Sequence, residues 1–185
     1  LREVLLSFGV CSCSRKSCNS ILNRGPGSAI CLVVGGAAES LETQEGTYRL
    51  VLGRKGFVQV AIENNAELVP VIAFGETDAF DTFSAKPGTI LREIQVFIQR
   101  KLKFTVPIFW GRGMFNTNFG LMPKRRPIHV VTGEPLSIQP FRDRGLEGEE
   151  LLDAVHKAYI AALRRLFDEN KDECEAGIKR LSLIH

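Results

Sequence analysis

Ala29-Ile30-Cys31-Leu32-Val33-Val34-Gly35-Gly36 is a continuous apolar run closed by two glycines. An apolar run without polar alternation predicts a strand buried on both faces, the pattern of a parallel sheet. Leu68-Val69-Pro70-Val71-Ile72-Ala73-Phe74 repeats it and runs into Gly75-Glu76-Thr77-Asp78. Pro70 cannot donate to a ladder, so this second strand is expected at an edge or with an irregular start. Ile128-His129-Val130-Val131-Thr132, ending at Gly133, predicts a third strand. Four helical patterns punctuate these runs. Ser14 can cap a short helix through Leu22, ending near Gly25. Lys55 to Asn64 places Phe57, Val60 and Ala61 on one side. Ile90 to Leu102 is amphipathic, with Arg100, Lys101 and Lys103 at the end that suits the helix dipole. Leu151 to Phe167 lines Leu151, Leu152, Val155, Tyr159, Ala162, Leu163, Leu166 and Phe167 along one face. Glu39 to Tyr48 reads as a polar loop, and the tail after Asp168 as charged and weakly structured. Strands alternating with helices predict an α/β class: a mainly parallel sheet with flanking helices.

A chain of 185 residues fits one domain, or the larger part of one. Hydrophobic residues at 44% and charged residues at 24% exclude disorder as the overall state. The first residue is Leu1, and the opening has neither the apolar core nor the cleavage pattern of a signal peptide, so the reading is the middle of a longer chain. No apolar run reaches the roughly 18 residues that mark a transmembrane helix candidate. Cys11, Cys13, Cys18, Cys31 and Cys174 fit no common zinc spacing, and reduced thiols are expected with no metal. The net charge of +3 is unevenly placed. Between Lys86 and Arg126 lie Lys86, Arg92, Arg100, Lys101, Lys103, Arg112, Lys124, Arg125 and Arg126, against the single acid Glu93. Such a stretch can meet phosphates or an anionic membrane surface, or can be a solvated face and a basic loop. Nucleic acid is not expected: Phe97, Phe104, Phe109 and Trp110 sit in apolar contexts, and no nucleic-acid motif occurs.

Chemistry is sought where buried strands run into glycine and charge. Gly35-Gly36, followed by Glu39, frees backbone N–H groups and allows close approach by a ligand. It lacks the third glycine of the dinucleotide fingerprint. Arg54-Lys55-Gly56-Phe57 sets two cations before a helix, where N–H groups can hold phosphate or carboxylate. Gly75-Glu76 occupies the same strand-end position as Gly35-Gly36, and open α/β sheets gather sites there. Gly111-Arg112-Gly113 opens a loop rich in glycine, asparagine and aromatics that runs to Gly120. Each of these also reads as a plain turn or a surface basic pair. His129, His156 and His185 have no acid or second histidine at close spacing, and no Gly-x-Ser-x-Gly elbow exists, so no general base emerges.

Four blocks, in order, resemble the type-2 diacylglycerol acyltransferase family, which includes monoacylglycerol and wax-alcohol acyltransferases. Arg2-Glu3-Val4 through Gly9-Val10-Cys11 is similar to its Arg-Glu-Tyr…Gly-Gly-Ile-Cys segment. Gly35-Gly36-Ala37-Ala38-Glu39-Ser40-Leu41 is similar to its Gly-Gly-Ala-x-Glu-Ser/Ala-Leu block. Arg54-Lys55-Gly56-Phe57, then Leu68-Val69-Pro70 and Phe74-Gly75-Glu76, match its Arg-Lys-Gly-Phe…Leu-Val-Pro…Phe-Gly-Glu block. Gly111-Arg112-Gly113, Phe119-Gly120-Leu121-Met122-Pro123 and Pro127-Ile128 match its Gly-Arg-Gly…Phe-Gly-Leu-x-Pro…Pro-Ile block.

The resemblance implies a glycerolipid-acyltransferase-like fold, incomplete at the N-terminus, with residues 1–185 the C-terminal part of a single acyltransferase domain. It implies transfer of a fatty acyl group from acyl-CoA, as co-substrate and with no cofactor, to the hydroxyl of diacylglycerol, giving triacylglycerol. A monoacylglycerol or wax-alcohol acceptor, or a non-catalytic acyl-CoA- or lipid-binding protein on the same scaffold, remains open. The family's catalytic histidine lies in a His-Pro-His-Gly motif upstream of the four blocks. That motif is absent here, which reads as truncation, and the fragment alone is expected to be inactive. The resemblance gives Glu39 a supporting role, orienting that histidine or the acceptor hydroxyl. It gives Gly35, Gly36, Arg54, Lys55, Phe57, Gly75, Glu76, Gly111, Arg112 and Gly113 to substrate binding, with Arg54 and Lys55 meeting a CoA phosphate or the acceptor's polar end. It implies the cytosolic face of the endoplasmic reticulum membrane and lipid droplets as location, and a homo-oligomer is compatible with it.

Overall fold

The computed structural model describes residues 2–36, 47–83, 108–113, 120–174 and 180–184. Glu39, the expected helix from Ile90 to Leu102, and residues 114–119 lie outside them. The elements are α1 (Arg2–Ser7), α2 (Arg15–Leu22), β1 (Thr47–Val51), α3 (Gly56–Asn64), β2 (Val71–Phe74), a 3₁₀ turn (Glu76–Asp78), β3 (Asp81–Phe83), β4 (Ile108–Trp110), β5 (His129–Thr132), α4 (Gln139–Arg142), α5 (Gly148–Cys174) and β6 (Arg180–Ile184). The chain is thus mixed helix and strand. It divides into two compact units: Leu1–Val33, Lys55–Val69 and Pro135–Tyr159 form the first, and Val34–Arg54, Pro70–Glu134 and Ile160–His185 the second.

The first unit is held by helical periodicity. Val58 and Ala61 of α3 share a face with Ile62, and Leu151 and Val155 of α5 repeat at i, i+4. These four buried residues join Ile138 in one cluster, against which Phe57, Leu68, Leu136, Phe141, Leu146 and Leu152 pack. Leu68 and Leu136 exchange backbone hydrogen bonds of 3.1 and 2.8 Å. Ser14 caps α2, its hydroxyl accepting from the Ser17 N–H at 3.3 Å. An amide pair ties α2 to α3: Asn64 Nδ2 donates to Asn19 Oδ1 at 2.8 Å, and Asn23 Nδ2 to Asn64 Oδ1 at 3.0 Å.

The second unit carries the strand pairs. β1 pairs with β6 in parallel, from Thr47↔Arg180 to Val51↔Ile184. β2 pairs with β5 antiparallel, Val71↔Thr132 to Phe74↔His129, and β3 pairs with β4 antiparallel. Its core includes an aromatic triangle of Tyr48, Phe74 and Phe167, with ring centroids 5.7–5.8 Å apart.

One expectation is not shown and two are corrected. A mainly parallel sheet is not seen among the described residues, where two of the three pairs are antiparallel. In β2, buried Ile72 and Phe74 alternate with exposed Val71 and part-buried Ala73, the one-sided burial of an antiparallel ribbon. Because the outward positions are themselves apolar, the sequence conceals the alternation. The run from Ala29 to Val33 forms no strand. Part-buried Ile30 and Leu32 alternate with exposed Ala29, Cys31 and Val33, so the segment is covered on one side only. The tail after Asp168 continues as helix to Cys174, and β6 follows from Arg180. Its charges are helix surface: Arg165 faces Glu169 at 4.0 Å and Lys171 faces Asp168 at 3.0 Å. The five cysteines form no disulfide. No helix among the described residues is long and apolar enough to cross a membrane.

Candidate functional site

In the second unit, the turn after β2 is built from the aromatic triangle outward. Phe74 is fully buried and fixes the strand end. Gly75 then takes a left-handed conformation (φ +85°), open to glycine at no steric cost. Its buried N–H donates to the Tyr48 hydroxyl at 2.7 Å. Glu76, next along, is exposed and begins the 3₁₀ turn. Tyr48 was legible only as the end of a polar loop, because its partner lies 27 residues away.

Gly36 also has positive φ (+57°), and a Cβ placed there would stand 3.5 Å from Arg54 Nη1. The structure therefore brings the second glycine of the Gly35-Gly36 turn beside the Arg54 guanidinium. Arg54 is exposed, and among the described residues it has no ion pair.

Gly111, Arg112 and Gly113 sit at a crossed pair of short bridges. Gly111 N–H donates to Gly120 O at 2.7 Å, Arg112 N–H to Met122 O at 2.7 Å, and Met122 N–H returns to Arg112 O at 3.0 Å. The close approach signalled by these glycines is made by the chain's own backbone: a Cβ at Gly111 would lie 2.2 Å from Met122 O. Arg112 Nε is buried with no hydrogen-bond partner among the described residues.

Lys55 and Phe57 belong to the first unit. Lys55 Nζ bonds Asp153 Oδ1 at 2.5 Å, and Phe57 packs edge-on to Tyr159 and His156, with centroids at 5.0 and 6.1 Å. Asp153 lies 98 residues from Lys55 and carries no sequence signal of the pairing. The hydrogen bond to Asp153 raises the Lys55 ammonium above its usual range against the opposing effect of desolvation. The same bond holds the Asp153 carboxyl below the usual carboxylate range. Asp153 contributes stability above its unfolded pKa that is lost as pH falls through the lowered folded value. Lys55 contributes stability below its unfolded pKa that is lost as pH rises through the raised one. The melting difference between the wild type and Asp153→Asn is therefore expected to be flat from about pH 5 to about pH 9 and to vanish in acid, below about pH 4. A difference that changes between pH 6 and 8 in thermal melts would assign the effect to another group.

His129 is exposed on β5 and His156 is buried against Phe57. A separate cavity of about 470 Å³ in the second unit is lined by Pro70, Thr132, Glu134, Arg165, Leu166 and Asn170 among others, and by none of the residues that the resemblance gives to catalysis or substrate binding.

By fold and site this is a mixed helix–strand chain with one glycine turn, at Gly36, set beside the Arg54 guanidinium. Its family follows from comparison with known proteins. The chain belongs to the diacylglycerol acyltransferase family: the family model of that description matches residues 1–183. It is 45% identical over 175 residues to a diacylglycerol O-acyltransferase 2 of Dictyostelium discoideum, covering 94% of this chain and 52% of that protein. It is 41% identical over 173 residues to the diacylglycerol O-acyltransferase 2A of Umbelopsis ramanniana, covering 92% and 48%. It is also 41% identical over 172 residues to the 2-acylglycerol O-acyltransferase 1 of Bos taurus, covering 92% and 50%. The chain spans about half the length of these curated relatives. No solved structure matches it.

Proposed function

We propose that these residues are part of an acyl-CoA-dependent O-acyltransferase that moves a fatty acyl group to the hydroxyl of diacylglycerol, forming triacylglycerol. Family membership over residues 1–183 carries this reading. On it, residues 1–185 are part of one acyltransferase domain with a glycerolipid-acyltransferase-like, mainly parallel sheet. The acceptor oxygen attacks the thioester carbonyl, the C–S bond breaks, and CoA leaves as its thiol. The base taking the hydroxyl proton is the histidine of the family's His-Pro-His-Gly motif, which does not occur in these residues. Glu39 supports that base or the acceptor. Arg54, beside the Gly36 turn, meets a CoA phosphate, and Arg112, with its buried Nε, a second oxygen of substrate. Gly35, Gly75 and Glu76 line the acceptor, as do Gly111 and Gly113. No cofactor is needed. The location is the cytosolic face of the endoplasmic reticulum membrane and lipid droplets, and a homo-oligomer is compatible with the reading.

A monoacylglycerol acceptor is the second reading, favoured by the Bos taurus relative, whose identity equals that of the Umbelopsis protein. Assay of the whole protein with acyl-CoA against diacylglycerol, monoacylglycerol and fatty alcohol separates the acceptors. Triacylglycerol as the main product supports the first reading, and acyl-CoA binding without turnover of any acceptor overturns both. Arg54→Ala is expected to lower kcat/KM for acyl-CoA by about tenfold to a hundredfold, the loss of one charge-assisted contact, with partial recovery in Arg54→Lys. Glu39→Ala is expected to lower turnover well beyond any loss of protein. Unchanged kinetics in either variant removes that residue from the site.

A further inference from the structure

We infer that Gly120 to Val130, in the second unit, is a docking surface for the anionic face of a lipid bilayer. Leu121 is 81% exposed, Met122 42%, Ile128 52% and Val130 64%, a cluster of large apolar side chains on one short segment. Exposed Arg125 and Arg126 lie between them, and no Asp or Glu occurs from Gly111 to Gly133. Interleaved aliphatic and cationic side chains suit the boundary between acyl chains and phosphate headgroups.

The exposure is enforced by the backbone. Gly120 and Met122 are pinned to Gly111 and Arg112 by the bridges described above. Lys124 N–H donates to Ala79 O at 2.7 Å, Lys124 Nζ bonds Asp81 Oδ1 at 2.5 Å, and Arg126 N–H turns back onto Lys124 O at 3.0 Å. Lys124 is thus consumed in anchoring the loop, while Leu121, Arg125 and Arg126 project from it. Strand β5 extends the surface: the register sets Val130 opposite Ala73 and Thr132 opposite Val71, so exposed Val130 and Val71 share one sheet face.

Charge selects the occupant. A second copy docked through the same patch about a twofold axis would face arginines with arginines. Single-stranded nucleic acid would call for large aromatic stacking platforms, and the exposed large apolar side chains here are Leu121, Met122, Ile128 and Val130. Lipid phosphates compensate the arginines while the acyl region takes the aliphatic tips. The inference rests on the membrane location proposed above and does not depend on acyl transfer.

Vesicle flotation of the full chain tests it, with phosphatidylcholine vesicles and with a phosphatidylcholine–phosphatidylserine mixture. The wild type is expected to favour the mixture. Arg125→Ala with Arg126→Ala should weaken binding to the mixture about thirtyfold and leave the neutral vesicles little changed. Leu121→Ser should weaken binding to both by about tenfold. Lys16→Ala with Arg24→Ala, exposed cations of the first unit, should change neither by as much as the Arg125/Arg126 pair. Thermal melts verify that every variant is folded. Absent vesicle binding, equal binding to the two compositions, or an arginine double variant that binds like the wild type overturns the docking surface. If the whole protein still makes triacylglycerol after such a result, the acyl-transfer reading survives. If turnover is absent while binding depends on Arg125 and Arg126, the docking surface stands and acyl transfer does not.

Discussion

Phe74→Ala is expected to lower the unfolding free energy by about 3–5 kcal/mol, the range for removing a large buried aromatic without collapse of the space it leaves. Phe74 is fully buried, and its ring stacks on Phe167 at 28° and 5.7 Å while meeting Tyr48 edge-on at 5.8 Å. In the second unit β1, β2 and the later part of α5 each contribute one ring, so truncating Phe74 strips contacts from both others. Urea unfolding is the measurement: the midpoint should fall with little change in slope. Phe74→Leu, which keeps most of the volume, should lose less. Tyr48→Phe isolates the polar part of the arrangement. It keeps the ring and removes the hydroxyl that accepts from the buried Gly75 N–H, at a cost of about 1–3 kcal/mol. A loss in Phe74→Ala of no more than about 0.5 kcal/mol, the scale of a surface change, would mean that the triangle does not hold this unit together. Because Gly75-Glu76 begins where Phe74 ends, a lowered kcat/KM in Tyr48→Phe at a temperature where the variant stays folded would tie the ring cluster to the proposed acceptor site.

How far the sequence carried depends on the reach of each interaction. The α5 face was legible because its signal is local: Leu151, Val155, Tyr159, Leu163, Leu166 and Phe167 recur at helical spacing, and all are buried. The Ser14 cap was legible for the same reason. Strand pairing was not. β1 and β6 pair residues 133 positions apart in sequence, and nothing in Thr47–Val51 announces Arg180–Ile184 as its neighbour. The expected parallel sheet came from counting apolar residues in β2 and the Ala29 run. There the outward-facing positions are apolar as well, and Val71 and Val130 instead mark an exposed face. For the site, the glycine signals are local and most of their neighbours are not. Gly36 lies beside Arg54. Asp153 holding Lys55, and Tyr48 holding Gly75, depend on long-range packing and left no local pattern to read.

Gly111→Ala is expected to open the bridge that carries both Arg112 and the lipid-docking segment. The φ of Gly111 is not in the left-handed region, so backbone strain is not the cause. The obstacle is distance. A Cβ would stand 2.2 Å from Met122 O and 3.1 Å from Phe80 Cδ1, and the first of these is backbone that cannot rotate away. Gly120 repeats the situation, its Cβ position lying 2.3 Å from Gly113 Cα. Separating the strands gives up three hydrogen bonds: Gly111 to Gly120, Arg112 to Met122 and Met122 to Arg112. At about 1 kcal/mol net each, local stability falls by about 3 kcal/mol, and amide exchange at Arg112 and Met122 should quicken by about a hundredfold. Gly56→Ala is the control. Nothing lies within 4 Å of its Cβ position at the start of α3, and it should be neutral or stabilise by up to about 1 kcal/mol. Lys124 stays anchored to Ala79 and Asp81 through contacts that Gly111 does not touch. Gly111→Ala should therefore weaken vesicle binding less than Leu121→Ser does, while Arg112 loses its backbone support. Unchanged exchange at Arg112 and Met122 in the alanine variant would show that the bridge does not form as described, and the frame beneath Leu121 and the paired arginines would go with it.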